Sequence, residues 1–193
     1  MSKPKRKTRG FEEPFIQIVR TGEKIELAEN PVLLVGFPGP GLVGVISTGR
    51  VIEAMDMKLI AAIRSPLIPP VTPFLGGEMR LPLRICASKD GKFIAAISEV
   101  ALPLETIFFV ANKILDWAAK QGVRKVVCLE GVAVKRRDKR PMVFGAAEPH
   151  LLRNLEKHEI PKVQKGLVAG IDGALLNECL IRKLEGYCLL VPA

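Results

Sequence analysis

The 193-residue sequence predicts a single α/β domain whose mixed, mostly parallel sheet carries helices on both faces. Three observations carry that prediction. Short, wholly apolar runs such as Val32 to Val35 and Val126 to Leu129 have the pattern of strands buried on both faces. They alternate with longer segments of helical period, notably Leu42 to Met55 and Leu104 to Gln121. Between the apolar runs Leu81 to Ala87 and Phe93 to Ser98 stands Lys89-Asp90-Gly91, a hairpin signal that makes the sheet mixed rather than purely parallel.

The remaining elements follow in order. Residues 1–10 are a polar, basic arm without apolar periodicity, expected to be disordered, and residues 11–193 form the domain. Phe11, Phe15, Ile16 and Ile18 suit a short leading strand. A loop with the sequence GFPGPGLVG at 36–44 joins the Val32 strand to its helix, and Pro40 fits the first helical turn, where no N–H bond is lost. Lys58 to Arg64 is a strand, and residues 65–79 form a loop with prolines at 66, 69, 70 and 73. Gly122 stops the helix that begins at Leu104. Beyond the Val126 strand, Met142 to Ala146 suits a strand and His150 to Glu159 a helix broken by Pro161. Gly166 to Ile171 reads as a strand, Ala174 to Leu184 as a helix and Tyr187 to Val191 as a last strand.

Composition excludes several classes of function. Apolar residues make up 48% of the chain, too many for a disordered protein. The net charge of +9 resides in two places. Five positive charges lie in residues 1–9, and the run 135–140 holds five positive and one negative, which leaves the rest neutral. Neither run contains an aromatic side chain on which a base could stack, so nucleic acid is not expected as the primary partner. Cys86, Cys128, Cys179 and Cys188 form no CxxC pair, and three of them lie in apolar strand-like runs, so buried reduced thiols are expected, with no metal site. No signal-peptide core and no apolar run long enough to cross a membrane occurs, and the chain reads as cytoplasmic.

Gly39, Gly41 and Gly44 satisfy the dinucleotide-binding pattern GxGxxG between a strand and a helix, where backbone N–H groups can approach a pyrophosphate. Pro38 and Pro40 remove donors from that segment, and the second strand ends at Arg64-Ser65 instead of the acid that holds a ribose. An arginine there suits a 2′-phosphate, so a nucleotide- or nucleoside-handling enzyme is the alternative reading. In the preferred one the glycines allow close packing, and no cofactor is expected. The helix that follows is apolar nearly all round and calls for cover by the core or by a partner.

Glu99, Glu130 and Asp172 fall at strand ends, where ligands of α/β sheets sit, and on convergence could bind a metal or act as acid and base. Asp172, before Gly173-Ala174-Leu175, also fits a helix N-cap, and capping is the preferred role of these acids. Ser98 would need a base, and the histidines, His150 and His158, lie two helical turns apart. For partners, the helical wheel of 106–121 sets Phe109 opposite the apolar stripe of Ile107, Val110, Ala111, Ile114, Leu115 and Ala118. The loop 65–79 presents Leu67, Ile68, Val71, Phe74 and Leu75, stiffened by its prolines as a preformed binding loop.

Four segments stand out together: PVLLVGFPGPGLVG at 31–44, ISEVALPLE at 97–105, ILDWAAKQGVRKVVCLEGVAV at 114–134 and GLVAGIDGALLNECLIRKLEGYCLLV at 166–191. In this order they resemble the PAC2 family, the archaeal relatives of eukaryotic proteasome assembly chaperones. The resemblance implies a three-layer α/β fold of the phosphorylase/hydrolase-like kind. It also implies a non-catalytic protein that forms homo-oligomers, or hetero-oligomers with a paralogue, and binds proteasome α-subunits or the α-ring. Some relatives dock through a C-terminal hydrophobic-Tyr-any tail. This sequence stops at Leu190-Val191-Pro192-Ala193, so a form shortened at the C-terminus and lacking that tail is expected.

Overall fold

The runs at 32–36 and 125–132 lie side by side as parallel strands at the centre of the sheet, with Leu34 opposite Val127. Both are apolar on alternate and intervening positions because each of their faces is covered by helices. The computed structural model describes residues 15–133 and 142–193; the basic arm and the basic run expected at 135–140 lie outside the described residues. In chain order the strands are β1 (Gln17–Arg20), β2 (Val32–Gly36), β3 (Lys58–Arg64), β4 (Phe74–Leu75), β5 (Glu78–Met79), β6 (Leu83–Ala87), β7 (Phe93–Ser98), β8 (Lys125–Val132), β9 (Phe144–Ala147) and β10 (Glu185–Pro192). The helices are α1 (Val43–Ala54), α2 (Leu104–Lys120), α3 (Leu152–Lys157) and α4 (Gly170–Arg182).

The main sheet has the order β1-β3-β6-β7-β2-β8-β10-β9. Its parallel pairs are β7–β2, β2–β8 and β8–β10, and its outer pairs are antiparallel. Strands β3, β7, β2, β8 and β10 therefore share one direction, opposed by β1, β6 and β9. Each edge strand is four residues long. The hairpin read from Lys89-Asp90-Gly91 joins β6 to β7, and Asp90 fixes its turn by accepting from Ser88 Oγ at 2.7 Å and Lys92 N at 3.2 Å.

Alternation along the strands divides the core between the two faces. Leu33, Val35, Ile94, Val126 and Cys188 meet the α2 stripe Val110, Ala111, Ile114, Leu115 and Ala118 together with Leu175 and Cys179 of α4. On the opposite face Leu34, Cys86 and Ala95 pack with Val51, Ile52 and Met57 at α1. Beside them, Val127, Tyr187 and Leu189 pack with Leu151 and Leu155 at α3. The architecture is thus three-layered, as expected. Arg182 fastens α4 to α2 through Asp116 at 2.7 Å and through Asn112.

Several segments depart from the sequence reading. Gly166 to Ile171 is not a strand: β8 and β10 pair directly, leaving no place between them, and Leu167 is 99% exposed. Helix α4 begins earlier than expected, at Gly170, so Asp172 lies inside its first turn and Ala169 occupies the N-cap. Helix α3 is shorter than expected and leaves His150 and His158 outside it, both exposed.

Candidate functional site

The loop after β2 turns so tightly that its glycines have no room for a side chain. A Cβ on Gly36 would lie 2.1 Å from Thr48 Oγ1, and one on Gly44 2.4 Å from Leu129 O, so α1 packs directly on β2 and β8. Pro40 opens a single 3-10 turn ahead of α1, and Gly41 takes a φ of 62° within it. A Cβ on Gly39 would stand 2.1 Å from Glu130 Oε1. A carboxylate therefore rests against the loop where a pyrophosphate would have to approach, and its charge opposes one. In this arrangement Gly39, Gly41 and Gly44 serve close packing.

Glu130 reaches the loop from the carboxyl end of β8 and is buried, accepting the Gly131 N–H at 2.9 Å. Asp172, only 1% exposed, arrives from the first turn of α4. Burial, followed by a hydrogen bond and repulsion from Glu130, pushes its carboxyl up to about 8, with Cys128 pulling weakly the other way. Asp172 therefore keeps its proton at neutral pH. One carboxylate oxygen, Asp172 Oδ1, has no hydrogen-bond partner among the described residues. Both acids line a cavity of about 420 Å³, together with the Pro38-Gly39-Pro40 loop, Val132, Leu167 and Leu190. A wider groove of about 590 Å³ adjoins it across Val132, Leu167 and Leu190, with Lys162 and Lys165 among its lining residues.

Of the three acids expected at strand ends, Glu130 and Asp172 meet and Glu99 does not. Glu99 follows β7, two strands away, and forms an ion pair with buried Arg84 at 2.7 Å, while Arg84 also donates to Leu81 O at 2.9 Å. This pair holds the open end of the β6–β7 hairpin. Truncating Glu99→Ala leaves a buried guanidinium half-satisfied and is expected to cost about 2 kcal/mol, read from urea unfolding. Ser98 is buried and bonded to its own turn, donating to Val100 O at 2.7 Å and accepting from Val100 N at 3.2 Å, so its hydroxyl is engaged structurally. Among the described residues no three of His, Cys, Asp and Glu gather as a metal-binding group. The four cysteines are free and buried; burial pushes the Cys179 and Cys188 thiols up to about 12 and that of Cys128 well up. Among the described residues no helix is long and apolar enough to cross a membrane.

The loop 65–79 contains a feature absent from the sequence reading. Phe74-Leu75 and Glu78-Met79 pair as a two-stranded hairpin, separate from the main sheet, with Phe74 opposite Met79. Gly76-Gly77, both at positive φ, make its turn, and the Gly-Gly pair between Leu75 and Glu78 was the available signal. Phe74 is 66% and Met79 75% exposed, while Leu67, Val71 and Leu75 are exposed beside them. Ile68 is the exception, buried in the main core rather than presented. On α2 the wheel misassigns one residue: Phe109 packs in part against the core, and its neighbour Phe108 is 56% exposed, the two rings meeting edge to face at 5.8 Å.

Comparison with known proteins gives the same fold. A protein of unknown function from Thermoplasma acidophilum superposes with a TM-score of 0.80 at 33% identity, over 86% of this chain and 68% of that one. Pyrococcus furiosus PbaA, described as an archaeal homologue of proteasome-assembly chaperone, superposes with a TM-score of 0.82 at 28% identity, over 92% of this chain and 76% of that one. An uncharacterized protein from Methanocaldococcus jannaschii is 31% identical over 156 residues, which is 81% of this chain and 63% of the relative. The PAC2 family model matches residues 33–193, and it is to this family that the chain belongs.

Proposed function

We propose that this protein is a non-catalytic, oligomeric chaperone-like factor that binds proteasome α-subunits or the α-ring. The observation that carries the reading is the β4–β5 hairpin. It holds Phe74 and Met79 out to solvent on a turn-locked ribbon, apart from the main sheet. Exposed aromatic and methionine side chains on a preformed element suit an interface core, because little conformational entropy is lost on docking. Leu67, Val71 and Leu75 extend the same surface, while Ile68 anchors the loop from below. Family membership and the description of PbaA support the choice of partner.

Phe109 and the more exposed Phe108 form a second apolar surface on α2, with Leu104 one turn away, and this surface serves self-association. Native mass measurement of the protein alone and mixed with proteasome α-subunits tests both parts. The reading requires a mass above one protomer alone and a further increase on mixing; an unchanged spectrum on mixing rejects the partner. The double substitution Phe74→Asp with Met79→Asp is expected to weaken that binding at least about tenfold, as loss of a hot spot does. Both side chains are largely exposed, so unfolding should stay within about 0.5 kcal/mol of the parent.

A further inference from the structure

The cavity beneath the glycine-proline loop holds a buried acceptor for which the described residues supply no strong donor. Buried polar atoms are nearly always satisfied, yet Asp172 Oδ1 is buried without a partner among the described residues. Its neighbour is a second carboxyl group, Glu130, which accepts the Gly131 N–H, and towards Asp172 the Cys128 thiol is only a weak donor. Around the acids the cavity wall is apolar, formed by Pro38, Pro40, Val132, Leu167, Val168 and Leu190, with no Lys, Arg or His lining it among the described residues. We propose that this cavity binds a primary ammonium group on an apolar stem, with Asp172 and Glu130 as its acceptors.

The donor set discriminates among ligands. A calcium ion takes six to eight oxygens, and two carboxyl groups fall far short of that. An anion would meet only repulsion from the acids. A primary ammonium carries three N–H donors, enough for Asp172 Oδ1 and a Glu130 oxygen together. Its stem then lies along the apolar wall, and a volume of about 420 Å³ accommodates it. Binding must displace the Asp172 proton, so affinity rises with pH through the range in which Asp172 ionises. The titratable groups around Asp172 are Glu130 and Cys128 of β8 and Cys188 of β10; Lys162 and Lys165 line the neighbouring groove instead.

A free alkylamine and a lysine side chain of a bound protein share this chemistry, and titration calorimetry on the full chain separates them. The probes are n-butylammonium chloride and Nα-acetyl-lysine methylamide at about pH 8.5, against n-butanol and sodium chloride of matched ionic strength. Saturable binding of at least one ammonium probe is expected, weakening up to about tenfold per pH unit below pH 8. Asp172→Asn and Glu130→Gln should each weaken it at least about tenfold. Tighter binding of butylammonium identifies a small-molecule amine, and equal or tighter binding of the lysine derivative identifies a protein side chain. Absence of binding by both probes overturns the proposal, as does equal binding of n-butanol or unchanged affinity in Asp172→Asn. That substitution is expected to stabilise the fold, so thermal unfolding of the same sample excludes misfolding as the cause of lost binding.

Discussion

Replacing Asp172 with asparagine should make the protein more stable near pH 8, although the residue is almost wholly buried. In the unfolded chain an aspartate ionises near pH 4. In the folded chain its carboxyl holds its proton to about 8, because burial and the adjoining Glu130 both disfavour the charge. Between those two values the folded state carries a proton that the unfolded state has released. Stability is therefore fully present below about pH 4 and declines as pH rises through 8, where the folded state ionises as well. At about 1.4 kcal/mol per unit, the loss by pH 8 is on the order of 5 kcal/mol. An asparagine amide keeps a donor towards Glu130 and has no proton to lose. Thermal melts from pH 5 to 8, below the range in which unfolded cysteines ionise, should thus slope downward for the parent and run flat for Asp172→Asn. Parallel curves for the two proteins would refute the raised ionisation of Asp172.

A methyl group added at Gly44 should be among the most damaging small changes in the molecule. The new Cβ would lie 2.4 Å from Leu129 O and 2.8 Å from Phe37 O, both backbone atoms of strand and loop that cannot swing aside. Relief requires α1 to lift from β8, and overpacking of that kind costs about 3 kcal/mol. Alanine's better helix propensity returns about 1 kcal/mol at most. Gly49, five residues on in the same helix, is the internal control. A Cβ there finds Ile97 Cδ1 at 4.0 Å, an ordinary contact. Gly49→Ala should therefore stabilise by about 0.5 kcal/mol or more, and urea unfolding of the two variants should move in opposite directions. Equal and small effects would mean that the loop is not pressed against β8.

The same contrast explains how much of the molecule was legible from its sequence. Strands β2 and β8, and the β6–β7 hairpin, declare themselves through local chemistry: unbroken apolar runs and an Asp-Gly turn. The stripe of α2 is equally local, and five of its six assigned residues are fully buried. Failures occur where tertiary pairing decides. Gly166 to Ile171 is apolar enough for a strand, but the direct β8–β10 pairing excludes it. Asp172 has the chemistry of an N-cap, yet α4 starts two residues before it and turns the carboxyl inward. That shift brings it to Glu130, a neighbour 42 positions distant in the chain, which no local pattern announces. On α2 the error at Phe108 and Phe109 is a matter of about 100° of helical rotation, and the boundary of a stripe is where a wheel is least decisive.

The short antiparallel strands at the two rims of the sheet set a condition on how the protein meets others. Four residues at β1 and four at β9 offer too little unpaired backbone for a foreign strand to extend the sheet by β-augmentation. On the proposed reading, recognition is then written in side chains carried by the β4–β5 ribbon and α2, so that specificity can change by substitution without a foreign strand joining the sheet.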